Sequence, residues 1–548
     1  MKRILLSAFA LMLSVLAYSQ AIIENPKVGM NTVSYLKLEK IELHDTATVF
    51  WFHVKHTPGN QILIPKETYI QPLGATEKLY IISAEGIKLN EQYIMPSSGE
   101  VNYKLYFPRI DASVSKVDFG EGNEGGSWFI YDIQLKPELF KSLLPEKITG
   151  NWFRSDNAQW EISLFDSVAV YKSQVWKYKK YAEKDGLGKI SLKSGAKTLE
   201  IYARLINDST YMFGENPAKL IMHTNKPNES AIPTDQQYFK LPLFKMDTVT
   251  YIGFFKDFSP RFPQRTGMVY VNDVLTGEQA SHVVKIADDG TFRLKFSYSN
   301  PQLVLVRHQF YNETVLLEPG KTTFQLFNLG GKTNPVLFMG DCARINTDLI
   351  KLSSINRFDN KNDLEEKILD FSPEQYKSWC QDLKQKDLEE LADYAQTHSV
   401  SAKAIQVKRL AIDYRYSNNL FEYDVRSEAA YRKTNNIPQD HHVIPFEPTE
   451  PDTTYYTFLT NDLVNNPLAV MSPDYLYFMQ QLRNLNILNG KPKGTFPSDI
   501  LEALEKTDYQ LTLQEKEFAD QIREIESLEF KSVQDEFQLT NISEEIFF

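Results

Sequence analysis

Cys342 and Cys380 are the two residues of this chain whose possible chemistry is easiest to state. Two thiols so far apart cannot form a Cys-x-x-Cys motif, and they are too few for a disulfide-dense scaffold or a zinc site built from cysteine pairs. In an oxidising compartment they could form one disulfide. From the entropy of loop closure, an unstrained disulfide would stabilise the folded state by roughly 4 kcal/mol. Alternatively, each thiol is buried separately as a small apolar side chain. Both interpretations are structural.

Two glycine-rich segments resemble nucleotide-binding loops but lack the required context. Residues 120–125 (Gly-Glu-Gly-Asn-Glu-Gly) satisfy G-x-G-x-x-G, but this fingerprint needs a following helix whose N-terminus receives a phosphate. A strand pattern, residues 128–131, follows instead, and the two glutamates would repel a pyrophosphate. Residues 330–333 (Gly-Gly-Lys-Thr) end like a P-loop, but Leu326 occupies the first glycine position and Pro335 stands near the expected helix start. Both segments are predicted to be turns.

The histidines do not predict a metal site. His53 and His56 lie on or beside a strand, and their separation of three residues puts them on opposite faces. His441 and His442 lie in an acidic, proline-rich stretch, where exposed loop residues are a simpler interpretation than a weak divalent-metal site. The sequence contains no G-x-S-x-G elbow, and no carboxylate pair is identifiable as acid and base. We therefore predict no catalytic residue, no cofactor-binding residue and no metal ligand.

The predicted secondary structure changes once along the chain, from strands to helices. Up to about Leu326, short segments such as residues 101–107 and 292–297 alternate apolar with polar side chains and are bounded by Pro, Gly, Asn or Asp. Asp288-Asp289-Gly290 and Asn272-Asp273 look like hairpin connectors. This part is predicted to form antiparallel β-sandwich or barrel-like domains.

From about Cys342 onward, the hydrophobic period becomes helical. Ser372-Pro373-Glu374-Gln375 predicts an N-cap, a proline at the first helical position and a capping box. Ser472 and Thr512 predict two further helix starts. An amphipathic stripe is predicted from Leu388, Leu391, Ala392 and Ala395. The chain is therefore predicted to be an α+β multidomain protein that ends in a helical domain of five or six helices.

The 548 residues are enough for three or four domains. The predicted segments are a signal peptide at 1–21, a β domain at 22–145, a β-rich domain at 146–230, a β-sandwich at 245–330 and an α-helical domain at 336–548. Trp152, Trp160 and Trp176 mark the second of the β domains.

The N-terminal residues predict export. Lys2 and Arg3 precede an apolar run, residues 4–16, that is too short for a membrane span, and Ala17-Tyr18-Ser19 places small residues at a cleavage site. Neither cysteine lies there, so no lipobox is expected. No later segment approaches the roughly eighteen uninterrupted apolar residues of a membrane span. The product is expected to be periplasmic or secreted.

The net charge of the chain limits the classes of partner that we expect. The formal net charge of -11 argues against binding to a phosphate backbone, which requires a basic patch, so nucleic acid is not an expected partner. The 29 Tyr and 34 Phe residues favour a protein partner if some of their rings are exposed, although they could equally be core residues.

Three segments resemble the long N-terminal region of exported TlpA-like, thioredoxin-domain proteins of Gram-negative bacteria. Residues 117–122 (Val-Asp-Phe-Gly-Glu-Gly) with the strand at 128–133 look like the end of their first β domain. Residues 266–272 (Thr-Gly-Met-Val-Tyr-Val-Asn) look like the start of the β domain that precedes their helices. Residues 317–320 (Leu-Glu-Pro-Gly), with 340–343, are similar to the junction between sheet and helices.

The resemblance implies a shared scaffold but no shared active site. In such proteins a thioredoxin domain with Trp-Cys-x-x-Cys follows the helices and carries the redox chemistry, and this sequence contains no such motif. The first expectation is therefore an exported, non-catalytic binding or scaffolding protein. The alternative is the accessory part of a TlpA-type disulfide oxidoreductase whose redox domain is truncated or separately encoded. A third, an enzyme with an unfamiliar site, would require a deep pocket that gathers carboxylates or histidines with perturbed pKa values.

Overall fold

The structure is a computed structural model of the chain. It describes residues 21–122, 127–136, 142–309, 311–329, 336–358, 367–438, 446, 449, 451–485 and 512–527. The predicted signal peptide, the Gly-Gly-Lys-Thr segment at 330–333 and the His441-His442 pair lie outside the described residues. Two compact units are present: one contains residues up to Val271, Gln279–Lys351 and His398–Ala404, and the other contains Asn272–Glu278, Leu352–Thr397 and residues from Ile405 onward.

The first unit begins with a β-sandwich. Its strands are β1 (Ala21–Glu24), β2 (Leu36–Leu43), β3 (Ala47–Lys55), β4 (Gln61–Ile62), β5 (Tyr69–Pro72), β6 (Leu79–Tyr80), β7 (Ser83–Glu85), β8 (Tyr93–Ile94), β9 (Glu100–Pro108), β10 (Lys116–Gly120) and β11 (Phe129–Gln134). One sheet has the order β1-β2-β3-β9-β7, the other has the order β11-β10-β5-β6, and β4 pairs with β8. Alternating residues of the sheets point inward, so that Phe50, Phe107 and Phe119 pack in one core.

The second domain of this unit is a closed barrel of eight strands. These are β12 (Gly150–Arg154), β13 (Trp160–Leu164), β14 (Val168–Tyr171), β15 (Gln174–Lys184), β16 (Leu187–Ser194), β17 (Lys197–Asn207), β18 (Thr210–Gly214) and β19 (Ile221–Thr224). Each strand pairs antiparallel with the next, and β12 pairs with β19 to close the barrel. Trp152, Trp176 and Ile190 are buried in its core. The residues that alternate with such core residues along a strand point outward.

The third domain is a sandwich of two four-stranded sheets. Its strands are β20 (Asp247–Lys256), β21 (Thr266–Asp273), β22 (Glu278–Lys285), β23 (Thr291–Tyr298), β24 (Gln302–His308), β25 (Tyr311–Leu317), β26 (Thr322–Asn328) and β27 (Val336–Gly340). The sheet orders are β23-β20-β26-β27 and β22-β21-β24-β25. Strands β20 and β26 are parallel. Tyr251, Val269 and Val304 come from both sheets and share one core.

The outer face of the β20–β26 sheet packs against the barrel. Trp160 and Val170 of the barrel are buried in one cluster with Ile252 and Phe324 of the sheet, and the ring centroids of Trp160 and Phe324 are 6.2 Å apart. Strand alternation explains this packing, because Tyr251 points into the sandwich core while its neighbour Ile252 points to the other face. The barrel and the sheet therefore form two walls with a shared apolar base.

One connection and one boundary of the third domain differ from the sequence prediction. Asp288-Asp289-Gly290 joins β22 to β23, which belong to different sheets, so it is a turn between sheets and not a hairpin. Gly290 has φ of 78°, and an added Cβ would lie 2.3 Å from the carbonyl oxygen of Phe255. The sandwich also continues past residue 330, because β27 pairs with β26. The Asn272-Asp273 connector does lead from β21 into its paired neighbour, β22.

The helices lie in the C-terminal part of the chain. The α-helices are α1 (Ala343–Lys351), α2 (Pro373–Thr397), α3 (Ala402–Phe421), α4 (Tyr423–Thr434), α5 (Asn461–Val464), α6 (Tyr475–Asn484) and α7 (Leu513–Glu526). Short 3-10 helices span Glu146–Ile148, Glu229–Ala231, Ile368–Asp370, Tyr455–Phe458 and Ala469–Met471. Within the described ranges, no helix combines the length and the hydropathy that a membrane crossing requires. The predicted fold class, β domains followed by helices, is confirmed.

Helix starts are predicted well where the cap is local. Ser372 Oγ accepts a hydrogen bond from Gln375 N at 3.3 Å, and Gln375 Oε1 accepts one from Ser372 N at 2.8 Å. Thr512 and Glu515 form a second capping box. Ser472, in contrast, is not the N-cap of α6, which begins at Tyr475 after Asp474. A proline at 473 therefore belongs to the turn before this helix.

Candidate functional site

A groove in the first unit is the candidate functional site. It has a volume of about 890 Å³ and is bounded by β14 to β17 of the barrel, by β20 and β23 of the third domain and by the chain that joins β22 to β23. Because both walls rest on the shared apolar cluster around Ile252, the groove is positioned by buried packing and not by a loop alone.

Six cationic side chains line this groove, which we call the lysine groove. They are Lys177 and Lys179 of β15, Lys193 of β16, Lys197 of β17, Lys285 of β22 and Arg293 of β23. All six are exposed to solvent. Asp289 is the one acidic residue among the described residues of the lining. The groove therefore carries a local excess of positive charge.

The six cations differ in their partners from two lysines outside the groove, Lys147 and Lys189. Lys189 pairs with Glu200 at 2.7 Å and Lys147 pairs with Asp208 at 3.1 Å, both outside the groove. Within the part of the chain that the structure describes, none of the six groove cations forms an ion pair. Their charge is consequently available to a ligand.

Lys177 and Lys193 lie directly opposite each other on β15 and β16. Side chains at such positions share one face of the sheet, with Cβ atoms about 4.5–5.5 Å apart, and like charges placed in this way are destabilising. An anion that contacts both ammonium groups would convert this repulsion into two attractions. The Lys177–Lys193 pair is therefore expected to destabilise the barrel less when an anion is bound than when the groove is free.

The barrel is locally basic in an acidic chain. Residues 151–225 contain 11 Lys and Arg against 8 Asp and Glu, whereas the whole chain has a net charge of -11. The net charge of the whole chain is a sum over all regions and therefore does not exclude a local basic surface.

The floor of the groove is apolar and partly covered. Ile252, Phe292 and Phe324 line it but are 9%, 3% and 0% exposed, so their surfaces are not open platforms for stacking. Val168 and Val175 are half-buried and present some apolar surface. A ligand with both anionic and small apolar groups matches this lining.

The side chains of the groove can bind a ligand through charge and hydrogen bonds. The lining provides ammonium groups, one guanidinium group and the hydroxyls of Ser173, Ser194 and Thr291. Among the described residues of the lining, Asp289 is the one carboxylate, and there is no histidine or cysteine.

The two cysteines singled out by the sequence lie elsewhere. Cys342 and Cys380 are both buried and free, and they belong to different units. Burial raises the pKa of the Cys342 thiol to about 11 and that of Cys380 to about 12. Both are therefore protonated at neutral pH, and a thiol in this state is a poor nucleophile. The free thiols correspond to the second of the two alternatives, and a thiol titration distinguishes it from a disulfide.

A smaller cavity of about 310 Å³ lies beside Cys380 in the second unit. Its lining includes the ion pair of Lys384 with Asp413, whose charged atoms are 2.7 Å apart, together with Tyr416 and Phe458. The described lining contains no histidine. The lining also contains the carboxylate of Asp462, whereas Asp413 is already paired with Lys384.

The other sequence candidates have structural partners. His53 Nδ1 forms a hydrogen bond with Asn102 Oδ1 at 2.7 Å, and the His56 ring stacks on Tyr35 with centroids 4.2 Å apart. In the described residues, no group of three or more His, Cys, Asp or Glu side chains is arranged to hold a metal ion. The G-x-G-x-x-G segment begins at the last residue of β10, which pairs antiparallel with β11, the next strand along the chain. Residues 123–125 of the segment lie outside the described residues, so the predicted turn stays a prediction.

The sequence analysis missed the groove residues. Lys177-Tyr178-Lys179 shows an alternation of cations that indicates one charged face of a strand. That signal alone does not identify Lys193 or Arg293 as neighbours, because their proximity depends on strand register and on the packing of the barrel against β20 and β23.

Comparison with known proteins identified no relatives: no protein-family model, no curated protein and no solved structure matches the chain.

Proposed function

We propose that this chain is an exported, non-catalytic binding protein and that the lysine groove holds an anionic ligand. The observation that carries the proposal is the convergence of six exposed cations from two domains on one groove, without ion-pair partners in the described residues. Export is supported by the basic start, the short apolar run and the small residues at 17–19.

The expected affinity follows from the exposure of the cations. An exposed ion pair is worth about 0.2–1 kcal/mol, so six contacts supply roughly 1–6 kcal/mol, which corresponds to a dissociation constant of about 40 µM or weaker. Low-dielectric walls that carry one sign of charge also concentrate ligands of the opposite sign. The proposed complex is therefore reversible and sensitive to salt.

A second candidate function is the accessory region of a TlpA-type disulfide oxidoreductase. It is supported by the three segments that resemble such proteins, one of which forms the β10–β11 pair. Sequencing of the gene beyond the codon for Phe548 tests it. A Trp-Cys-x-x-Cys stretch in any frame would support this function, and unrelated sequence would count against it.

Anion binding is tested with fluorescein-labelled dextran sulfate and fluorescence anisotropy. The paired substitution Lys177→Gln/Lys193→Gln is expected to weaken binding about tenfold, because it removes two contacts of up to about 1 kcal/mol each. The matched control, Lys147→Gln/Lys189→Gln, makes the same change in charge at two barrel lysines that already pair with Asp208 and Glu200.

The control is expected to bind like the unmodified protein, and about 0.5 M NaCl is expected to abolish binding in each case. No binding of dextran sulfate, or an equal loss in both paired variants, would overturn the assignment of the groove.

A further inference from the structure

Strand β23 forms one wall of the lysine groove and is an edge strand. It pairs with β20 from Thr291 to Tyr298, and no other described strand pairs with it. Edge strands present unpaired backbone groups to which another extended chain can bind. What matters for a ligand in the groove is which residues of β23 present those groups.

The hydrogen bonds at the start of β23 show which of its residues have backbone groups at the free edge. Gly290 O accepts a hydrogen bond from Phe255 N of β20 at 2.9 Å, so the carbonyl of Gly290 points toward β20. Thr291 O instead accepts from Ala287 N at 2.8 Å and therefore points away from β20. Because bonded and non-bonded pairs alternate in an antiparallel ladder, the backbone groups of Arg293 also point to the free edge. The same alternation places Lys295 at the free edge.

The side chains of these two residues lie on the barrel side of the sheet. Arg293 is opposite Ile252, and Lys295 is opposite Thr250. Directly opposite residues share a face, and Ile252 faces the buried cluster that contains Trp160 of the barrel. A strand added to β23 would therefore direct every second side chain toward the barrel lysines.

The cations of the barrel are close enough together for such a strand to reach two of them. Lys177 and Lys193 occupy opposite positions on neighbouring strands, so their Cβ atoms are about 4.5–5.5 Å apart. Side chains on one face of an extended peptide recur every 6.6–6.8 Å or so, and the flexible four-carbon stem of lysine can span the difference.

We propose that the lysine groove binds an extended acidic segment of a partner protein, which pairs with the free edge of β23 and directs alternate carboxylates toward Lys177 and Lys193. This rests on the proposed function of the groove as an anion site. An acidic polypeptide can use both the backbone groups of β23 and the cations. The half-buried Val168 and Val175 add apolar surface for a peptide side chain.

A phosphate polymer fits the groove less well. Five of the six cations are lysines, whose ammonium groups act as point charges toward carboxylates and phosphates alike, so the distinction rests on the free edge of β23 and on the surfaces open to stacking. Phe292 and Phe324 are covered, so their rings are not open to the base stacking on which single-stranded nucleic acids depend. Basic side chains on an edge strand also block unwanted pairing, and the experiment separates that role from peptide binding.

The test uses fluorescein-labelled peptides with the purified full chain. The first peptide consists of five Glu-Thr repeats. The second has the same composition, with the glutamates in one block and the threonines in another. The third is the alternating peptide with its threonine amides N-methylated, and the fourth is the same peptide with its glutamate amides N-methylated. Methylation on one set of alternate residues blocks pairing with an edge, whereas methylation on the other set leaves that edge free.

The alternating peptide is expected to bind at least fivefold more tightly than the block peptide, and one of the two methylated peptides is expected to lose binding while the other retains it. Lys177→Gln/Lys193→Gln is expected to weaken the alternating peptide about tenfold. The Lys147→Gln/Lys189→Gln control is expected to leave it unchanged.

Three outcomes would overturn the inference. Equal binding of all four peptides would show attraction between charges without strand pairing. Tighter binding of a labelled single-stranded oligonucleotide than of the alternating peptide would indicate a nucleic-acid ligand. Binding of dextran sulfate but of no peptide would reject the peptide and leave the proposed anion site intact, whereas failure of both probes would reject both proposals.

Discussion

Lys177 and Lys193 face each other across β15 and β16 of the barrel, and neither has an acidic partner among the described residues. Two like charges at directly opposite positions lower the stability of a sheet. The same two charges, with Lys179 and Arg293 nearby in the groove, can bind a ligand of opposite charge. Stability and binding are therefore expected to respond in opposite directions to a change at this pair.

Lys193→Glu tests that expectation. The new carboxylate would lie opposite Lys177 and replace a repulsion with an attraction, so the free energy of unfolding is expected to rise by about 0.5–1 kcal/mol. Binding of dextran sulfate is expected to fall by at least tenfold. Urea unfolding and anisotropy measure the two quantities on one sample. A variant that is less stable, or that binds as well as the unmodified protein, would contradict the role of the pair.

Arg261 is expected to stabilise the contact between the first and third domains. Its guanidinium donates to Asp118 at 2.7 and 3.0 Å, and it lies 2.9 Å from the carboxylate of Asp132. Arg261→Ala leaves the carboxylate of Asp118, which is largely buried, without these donors and is expected to cost about 1–3 kcal/mol in urea unfolding. Arg154→Ala is the matched control, because Arg154 pairs only locally, with Asp156, and its loss is expected to cost less than about 1 kcal/mol. Equal losses would contradict this prediction.

Because His308 is buried, we predict that the stability of the folded chain falls at acidic pH. It packs among Phe255, Phe292 and Phe327, and burial lowers its pKa to about 4 from a model-peptide value of 6.5. The unfolded chain therefore takes up a proton as the pH falls below 6.5, while the folded chain does not until about pH 4. This difference removes about 3 kcal/mol of stability across that window.

His308→Leu removes the titrating group. The free energy of unfolding of the unmodified protein, measured relative to that of this variant, is therefore expected to fall by about 3 kcal/mol between pH 7 and pH 4. Glu121→Gln is the control with the opposite sign. Burial raises the pKa of the Glu121 carboxyl, so this residue lowers stability as the pH rises above its unfolded value. Parallel curves for His308→Leu and the unmodified protein would contradict the assignment.

The cysteines predict a specific result in a thiol titration. Because both thiols are free, buried and protonated, a thiol reagent is expected to react with neither in the folded protein at pH 7 and with both after unfolding in urea. The titration is run without reductant. If no thiol appears on unfolding, Cys342 and Cys380 are joined by the disulfide that the sequence leaves open. Rapid reaction in the folded state would contradict their burial.

The sequence predicts the features that depend on short-range contacts. Ser372 and Gln375 form the predicted capping box because both partners lie within one helical turn. The predicted stripe on α2 is less accurate, since Ala392 is exposed while Asp387 is buried. Asp387 can occupy the core because Arg357 and Tyr416 donate hydrogen bonds to it at 2.7 and 2.9 Å. An apolar pattern cannot predict such a buried polar residue.

The lysine groove depends on contacts between residues that are distant in sequence. Lys177 and Lys193 become neighbours only through the register of β15 with β16, and that register includes a shift between Tyr178 and Lys180. Arg293 joins them only because β20 carries β23 next to the barrel. The composition of the chain, with its net negative charge, points away from this site.

The salt dependence of dextran sulfate binding distinguishes binding in the lysine groove from binding elsewhere on the chain. Each lysine that contacts the polyanion contributes to the slope of log K against log salt concentration. We expect Lys177→Gln/Lys193→Gln to reduce the magnitude of this slope by about two, or about one for each lysine removed, and Lys147→Gln/Lys189→Gln to leave it unchanged. Identical slopes for the unmodified protein and Lys177→Gln/Lys193→Gln would show that the polyanion does not bind in the lysine groove.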